Sequence, residues 1–175
     1  MQKKQDLAVL QTNGSGVLSF SSPSANTPAF YAFKNTNQSI GNDTDTLVSF
    51  QTEILDTGSC FNNSSTYKFT PTVAGKYYIF ASLSFGGGSA NDIRDVALRF
   101  DKNGTFLNYN GGWSNYANSS ASTITVYHSI IETFNGTTDN ISVYGRMVAG
   151  TRVISGGYPD ANARNVFFGG YKIIE

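Results

Sequence analysis

Residues 66–85, TYKFTPTVAGKYYIFASLSF, constrain the fold of this chain more than any other stretch. Aromatic or aliphatic side chains occur there at alternate positions, which is the period of a β-strand with one buried face. Pro71 and the Ala74–Gly75 pair interrupt the run, because proline cannot donate a ladder hydrogen bond and glycine frees the backbone for a turn. The pattern predicts a strand, a tight connection and a long central strand packed against a second sheet. The alternating positions are Tyr67, Phe69, Val73, Tyr77, Ile79, Ala81, Leu83 and Phe85.

The composition favours one β-rich domain and argues against several classes of function. Of 175 residues, 14% are charged and 14% are aromatic. Twelve basic and twelve acidic side chains balance, and no basic stripe of the kind that nucleic-acid binding requires is visible. No apolar run reaches the roughly 18–20 residues that cross a bilayer, and none follows the charged N-terminus as a secretory signal would require. We therefore expect neither nucleic-acid binding nor membrane insertion.

Turn residues separate the alternating runs at the spacing of a β-sandwich, and helical periodicity is absent. Cys60 is the only cysteine, so the core must hold together without an intrachain disulfide. The predicted strands lie near residues 29–34, 46–55, 65–70, 75–86, 93–101, 104–109, 122–134, 139–148, 150–155 and 164–174.

The central stretch resembles the core of the complement C1q-like globular head, a jelly roll shared with the tumour necrosis factor superfamily. In that pattern an aromatic-x-aromatic strand is followed by a proline and then by Ala/Pro-Gly-x-Tyr-Tyr-x-Phe, which here ends in AGKYYIF at residues 74–80. Further short segments match the family pattern in the same order along the chain, so the resemblance covers residues 29–175. They are AFYAF at 29–33, VSF at 48–50, DTG at 56–58, KNG at 102–104, the glycine-aspartate turn and alternating strand at 136–143, and FGGYKI at 168–173.

The resemblance implies an all-β fold, an antiparallel ten-stranded jelly-roll sandwich, and a homotrimer whose subunits pack through an additional apolar face. Some C1q-like heads bind calcium, but the pairs Asp43 with Asp45 and Asp92 with Asp95 do not reproduce a recognised calcium loop. We therefore predict no metal and no cofactor. The aromatic side chains that either fill the core or line the trimer are Tyr77, Tyr78, Tyr127, Tyr144, Phe168 and Tyr171.

Residues 1–28 differ from the rest of the chain. Two short apolar runs flank the turn NGSG at residues 13–16, which predicts a small hairpin followed by a linker. A hairpin of this size is marginal by itself and needs a surface to pack against. Openings of this type resemble the front of bacteriophage virion proteins, where they would act as docking arms; the alternative is a loose terminus or an extra edge strand. The candidate anchor residues are Leu7, Val9, Leu10, Val17, Leu18 and Phe20.

Two loops carry aromatic side chains among small polar residues, NYNGGWSNYANSSAS at 108–122 and SGGYPDANAR at 155–164. Such rings supply a large contact area at low entropic cost, which suits contact with a protein or a glycan. The alternative is that Trp113 and Tyr116 fold back over the end of the sandwich. The candidate surface-binding residues are Tyr109, Trp113, Tyr116 and Tyr158.

No catalytic arrangement is recognisable, and we predict that the chain is not an enzyme. His128 is the only histidine and lies in an alternating run with Ile124, Val126 and Ile130, where we expect a strand residue on a solvated or interface face. A metal site or a catalytic triad would need partners that the sequence does not indicate. A glycosidase needs two facing carboxylates, and nothing selects a pair among the acidic side chains. The acidic side chains considered are Glu53, Asp56, Asp101 and Glu132.

Three functions remain open from the sequence. The first is a trimeric virion protein, a capsid decoration protein, head fibre or short spike, located on the virion surface and bound to capsid or tail proteins through residues 1–28. The second is the receptor-binding tip of a tail fibre or adhesin that recognises a host surface glycan or protein. The third is a cytokine-like or lectin-like soluble ligand. The arm favours the first, whereas the lack of disulfides and of a signal peptide argues against the third.

Overall fold

The computed structural model describes residues 9–12, 14–21, 26–88, 92–107, 111–114, 122–156 and 164–173. Within these ranges the chain contains strands and turns and no helix. The strands are β1 (Val9–Thr12), β2 (Leu18–Ser21), β3 (Ala29–Phe33), β4 (Gln38–Ser39), β5 (Thr46–Leu47), β6 (Thr52–Asp56), β7 (Gly75–Gly86), β8 (Asp95–Lys102), β9 (Thr105–Phe106), β10 (Gly111–Ser114), β11 (Thr123–Phe134), β12 (Ile141–Val148), β13 (Val153–Ile154) and β14 (Phe167–Lys172).

Two antiparallel sheets form the body of the protein. In the first sheet, β7 pairs with β11 on one side and with β13 and β14 on the other, and β4, β3 and β6 extend it beyond them. The second sheet has the order β10-β8-β12-β5, with β9 folded back onto β8. Strands β1 and β2 form a separate two-stranded sheet. The predicted all-β, antiparallel two-sheet sandwich is confirmed.

The core lies between the inner faces of the two sheets. Every second side chain of β7 is fully buried, as the alternation predicted: Tyr77, Ile79, Ala81, Leu83 and Phe85. Stacked and edge-on aromatic rings fill one end of the core, where the Phe30 ring lies 4.3 Å from that of Phe69 and 4.7 Å from that of Phe168. Offset and edge-to-face geometries of this kind add about 0.5–1.5 kcal/mol per pair to the burial of the rings.

The strand predicted at residues 65–70 is wrong. Asn62 accepts hydrogen bonds from the backbone N–H groups of Ser65 and Thr66 at 2.9 and 3.0 Å, which closes a turn there. Tyr67 then adopts a positive φ of 50°, a conformation that ends a strand. Only Phe69 forms isolated bridges, to Phe61 and Ile141.

Other boundaries differ because turns interrupt the predicted runs. The strand predicted at 46–55 is divided into β5 and β6, and those predicted at 104–109 and 150–155 shrink to the two-residue strands β9 and β13. Val73, predicted to be buried, is exposed because it lies in the bend that precedes β7. In place of ten strands, the described residues of the two sheets form twelve.

Candidate interaction surface

The outer face of the first sheet carries a continuous cluster of aromatic rings, here called the aromatic face. Strand pairing places these rings on the same side, because Tyr78 lies opposite Tyr171 and Phe80 lies next to Gly169, which lies opposite Tyr31. Neighbouring ring centroids are 5.6–6.4 Å apart. The six members are Tyr31, Tyr78, Phe80, Tyr127, Phe167 and Tyr171.

A glycine makes the close packing of this face possible. A Cβ atom on Gly169 would lie 2.5 Å from Cζ of Phe80, so the absence of a side chain lets the Phe80 ring lie over the strand. The neighbouring Gly170 serves the inner face in the same way, where a Cβ would lie 2.6 Å from Cδ1 of Ile79. Adjacent glycines therefore admit large apolar side chains close to the backbone on both sides of β14.

The aromatic face is exposed at both of its margins. Tyr127 is 53% exposed, and Ile131, four residues along β11 on the same face, is 60% exposed. At the opposite margin Leu55 of β6 pairs with Tyr31 and is 45% exposed. An apolar surface that spans a whole sheet is of the kind that marks a contact site.

Hydroxyl groups on this face interact with each other. The Tyr78 and Tyr127 hydroxyl oxygens are 3.1 Å apart. Hydrogen bonds from Ser129 and Tyr127 lower the pKa of Tyr78, whereas burial raises the pKa of Tyr127. Burial also raises the pKa of Tyr31. Because burial raises the pKa of Tyr31 and that of Tyr127 above the ordinary value of about 10, both phenols are neutral at physiological pH.

The structure divides the aromatic side chains that were predicted to fill the core or line a trimer. Tyr77 and Phe168 are fully buried in the core, and the Tyr77 hydroxyl donates to the Val73 carbonyl at 2.7 Å. Tyr78, Tyr127 and Tyr171 belong to the aromatic face. Tyr144 lies on the second sheet, where its ring meets Phe106 edge-on at 5.1 Å.

Three members of the aromatic face were missed by the sequence prediction, namely Tyr31, Phe80 and Phe167. The signal was present, because β7 has apolar side chains in both phases: Tyr77 and Ile79 point inward, and Tyr78 and Phe80 point outward. A strand that is apolar on both faces is covered on both faces or exposes one of them.

The outer face of the second sheet is charged, and we call it the charged face. The Arg99 guanidinium forms an ion pair with Asp45 and lies 4.7 Å from the centre of the Phe106 ring. Arg146 forms ion pairs with Asp43 and, at 2.8 Å, with Asp95. The charged face thus consists of Asp43, Asp45, Asp95, Arg99 and Arg146.

The hairpin formed by β1 and β2 has one apolar and one polar side. Leu10 lies opposite Phe20, whereas Gln11 lies opposite Ser19 on the other side. All the apolar side chains described here are exposed: Leu10 by 53%, Val17 by 59%, Leu18 by 65% and Phe20 by 76%. Of the remaining candidate anchors, Leu7 lies outside the described residues, and for Val9 the structure describes the backbone alone.

The candidate loop residues are largely outside the part of the chain that the structure describes. Tyr109, Tyr116 and Tyr158 all fall in its gaps. The backbone of Trp113 lies in β10, opposite Val96 of β8. The assignment of these residues to a binding surface therefore stays a prediction.

His128 lies on the inner side of β11, so the prediction of a solvated or interface face is wrong. Its ring is 5.3 Å from that of Phe100, and burial lowers its pKa. The half-buried imidazole therefore packs against the core beside a phenylalanine ring. Among the described residues, no three His, Cys, Asp or Glu side chains are grouped closely enough to bind a metal ion.

The acidic side chains considered for catalysis mostly stabilise local structure. Asp56 accepts hydrogen bonds from the backbone N–H groups of Cys60 and Phe61 at 2.9 and 3.0 Å. Asp101 accepts one from Gly104 at 3.0 Å, and Glu132 forms an ion pair with Lys102 at 3.0 Å. Glu53 lies exposed on the edge strand β6.

Membrane insertion through a helix has no candidate in the described residues, since none of them forms a helix long and apolar enough to span a bilayer. No protein-family model matches the chain, and no curated protein matches it either.

Solved structures do resemble this fold. The structure of Eiger TNF from S. frugiperda is 14% identical, with a TM-score of 0.56, and the match covers 84% of this chain and 92% of that one. Murine APRIL at pH 8.0 is 13% identical with a TM-score of 0.57, and at pH 5.0 it is 15% identical with a TM-score of 0.55; both matches cover 83% of this chain and 98% of the other. At sequence identities this low, the likeness supports a shared architecture and not a shared function. The chain therefore has the jelly-roll fold of tumour necrosis factor-like proteins.

Proposed function

We propose that this chain is a non-enzymatic contact protein that works as a homotrimer, with the aromatic face buried between subunits. The observation that carries the proposal is the cluster of rings on the first sheet, which is exposed at its margins: Tyr127 is 53% exposed and the apolar Ile131 on the same face is 60% exposed. Covering such a surface yields roughly 25 cal/mol for each Å² of apolar area removed from water. The resemblance to C1q-like and tumour necrosis factor-like domains supports a threefold arrangement as the way in which it is covered.

The hairpin supports attachment of this trimer to a larger particle. Its apolar side is exposed in the chain, and a two-stranded sheet is marginally stable without a surface to pack on. We propose that residues 1–28 dock on a capsid or tail protein of a virion. The jelly roll would then be displayed on the virion surface as a decoration protein, head fibre or short spike.

A direct test uses full-length variants of the hairpin. Leu18→Asp with Phe20→Asp places charges on its apolar side and is expected to abolish co-sedimentation with purified virions that lack this chain. Ser19→Asp places one negative charge on the polar side and is expected to leave co-sedimentation intact. Equal binding by all three proteins would refute the docking role, and loss of binding by Ser19→Asp alone would contradict the assignment of the two sides.

Two alternatives are supported by other observations. A receptor-binding tip is supported by the aromatic residues of the two loops, and a cytokine-like ligand by the likeness of the fold to Eiger and APRIL. Alanine at Trp113, Tyr116 and Tyr158 would abolish binding to host cells if the chain is a receptor-binding tip. The same changes would leave particle attachment intact if it is a decoration protein. Specific binding of the purified chain to animal cells would favour the cytokine-like ligand.

A further inference from the structure

A polar recess lies beside the irregular segment that connects β6 to β7, away from the rings of the aromatic face. It encloses about 420 Å³. Ligand pockets in proteins range from about 300 to 1,000 Å³, so the recess has room for a small molecule. The polar side chains that line it are Ser59, Asn62, Thr66, Lys68, Thr70 and Asn140, and Cys60 and Phe61 complete the wall.

The wall of the recess is held in place by backbone hydrogen bonds. The Asn62 N–H donates to the Lys68 carbonyl at 3.0 Å, and the Thr70 N–H donates to the Cys60 carbonyl at 2.7 Å. Phe69, between these residues, exchanges hydrogen bonds with Ile141 at 2.9 Å in both directions. The segment is therefore fastened to itself and to the start of β12, and the recess is formed without a ligand.

Several polar groups of the recess have no partner elsewhere in the described part of the chain. The hydroxyls of Ser59, Thr66 and Thr70 form no hydrogen bond with other described residues. Lys68 is half-buried, and none of the ion pairs among described residues includes it. The side-chain oxygen of Asn140 is shielded from solvent and has no donor. Unused donors and acceptors around one ammonium group match a ligand that is rich in hydroxyls and carries a negative charge.

We propose that this recess binds a carboxylated sugar, with the carboxylate at Lys68 and the sugar hydroxyls at the hydroxyl and amide groups around it. A charge-assisted hydrogen bond fixes the carboxylate end. The sugar hydroxyls exchange hydrogen bonds with the hydroxyls of Ser59, Thr66 and Thr70. All lining residues belong to one chain, so this site does not depend on the proposed trimer or on the docking of the hairpin.

The test uses glucuronate and N-acetylneuraminate as probes, with glucose and acetate as controls for the sugar ring and for the charge. Binding is followed by isothermal titration calorimetry and by amide chemical shifts of the full ¹⁵N-labelled chain. We expect shifts confined to residues 59–70 and to Asn140, and an affinity for at least one acidic sugar that is about tenfold above those for glucose and acetate.

Variants locate the site. Lys68→Met keeps the length of the side chain and is expected to weaken binding of the acidic sugar about tenfold, and Thr70→Val removes a hydroxyl with a smaller loss. Arg94→Met removes an exposed cation beyond the opposite end of β8 and is expected to bind normally. The proposal is overturned if neither acidic sugar shifts the recess amides, if acetate or glucose binds as well as the acidic sugar, or if Arg94→Met loses as much affinity as Lys68→Met.

Discussion

The outward side chains of the two sheets differ in chemical character. On the second sheet, Arg99 and Arg146 form ion pairs with Asp43, Asp45 and Asp95, so the outward side chains of this face find partners within the chain. On the first sheet the outward side chains are uncharged rings that contact each other and remain open to solvent at the margins. The charged groups of the charged face are therefore paired within the chain. The aromatic face leaves apolar surface exposed, which a partner could cover.

This difference predicts that the two faces respond differently to the same change. Tyr127→Asp combined with Ile131→Asp introduces charges at exposed sites of the aromatic face, so the monomer is expected to fold normally while association weakens by orders of magnitude. Phe106→Asp, at a 39% exposed site beside Arg99, is the matched control and is expected to leave the trimer intact. Light scattering coupled to gel filtration reports the mass of each variant, and dissociation by the control alone would reverse the assignment of the faces.

The charged face is expected to matter for stability and not for association. Arg99 is only 5% exposed, so Arg99→Met leaves Asp45 without its partner in a poorly solvated place. Removal of one member of a fully buried ion pair costs about 3–5 kcal/mol, and the 24% exposure of the Asp45 side chain places the expected loss at or below the lower end of that range. Urea unfolding should show this loss, while the mass of the folded protein stays that of the wild type. A loss below the error of the measurement would mean that the pair is solvated and contributes little.

The glycine under Phe80 allows a finer comparison. In Gly169→Ala the new methyl group would lie 2.5 Å from Cζ of Phe80, and the ring must lift away from the sheet. Overpacking of this kind costs about 1–3 kcal/mol. Because the displaced ring belongs to the aromatic face, association is expected to weaken together with the unfolding free energy. Phe80→Leu combined with Gly169→Ala relieves the clash and should recover part of the stability, which a purely local backbone effect would not allow.

The smallest predicted effect concerns a buried lysine. Lys34 is fully buried, its ammonium donates to the Ser49 hydroxyl and carbonyl at 2.7 and 3.1 Å, and burial lowers its pKa to about 8. Below pH 8 the Lys34 ammonium is charged in both the folded and the unfolded chain, and burial of this charge lowers the stability of the folded state. Between pH 8 and the unfolded value of 10.5 the unfolded chain binds more protons, so stability rises with pH across this window.

Lys34→Met should remove that pH dependence. We expect it to raise the unfolding free energy at pH 7 by roughly 1–2 kcal/mol. The difference in unfolding free energy between the variant and the wild type should become smaller as the pH rises toward 10. Urea titrations of both proteins at pH 7, 8.5 and 9.5 measure the effect. A constant difference over this range would show that the hydrogen bonds to Ser49, and not the charge, determine the contribution of Lys34.

The parts of the fold that depend on local alternation could be predicted from the sequence. The inward phase of β7 follows from its period-two pattern and is found as expected, whereas the same pattern in β11 did not show that the His128 side faces the core. The strand predicted at 65–70 failed because the turn closed by Asn62 and the positive φ of Tyr67 override the alternation of Tyr67 and Phe69. Local hydrogen bonding of an asparagine side chain competes with strand pairing.

The surfaces could be predicted only in part. Arg99 and Asp45 are 54 positions apart, and nothing in the sequence shows that β5 lies close enough to β8 for them to meet. On the aromatic face, the rings of Phe80 and Phe167 meet at 6.1 Å only because β7 pairs with β14, and the sequence does not show that pairing. The polar recess was missed because Lys68 and Asn140 are brought together by the bridge between Phe69 and Ile141.

The mass of the full chain in solution tests the central claim most directly. Sedimentation velocity at micromolar concentration should give one species of about 57 kDa, three times the 18.9 kDa chain. A single species near the mass of one chain would contradict the claim, because the aromatic face would then remain uncovered in the native protein.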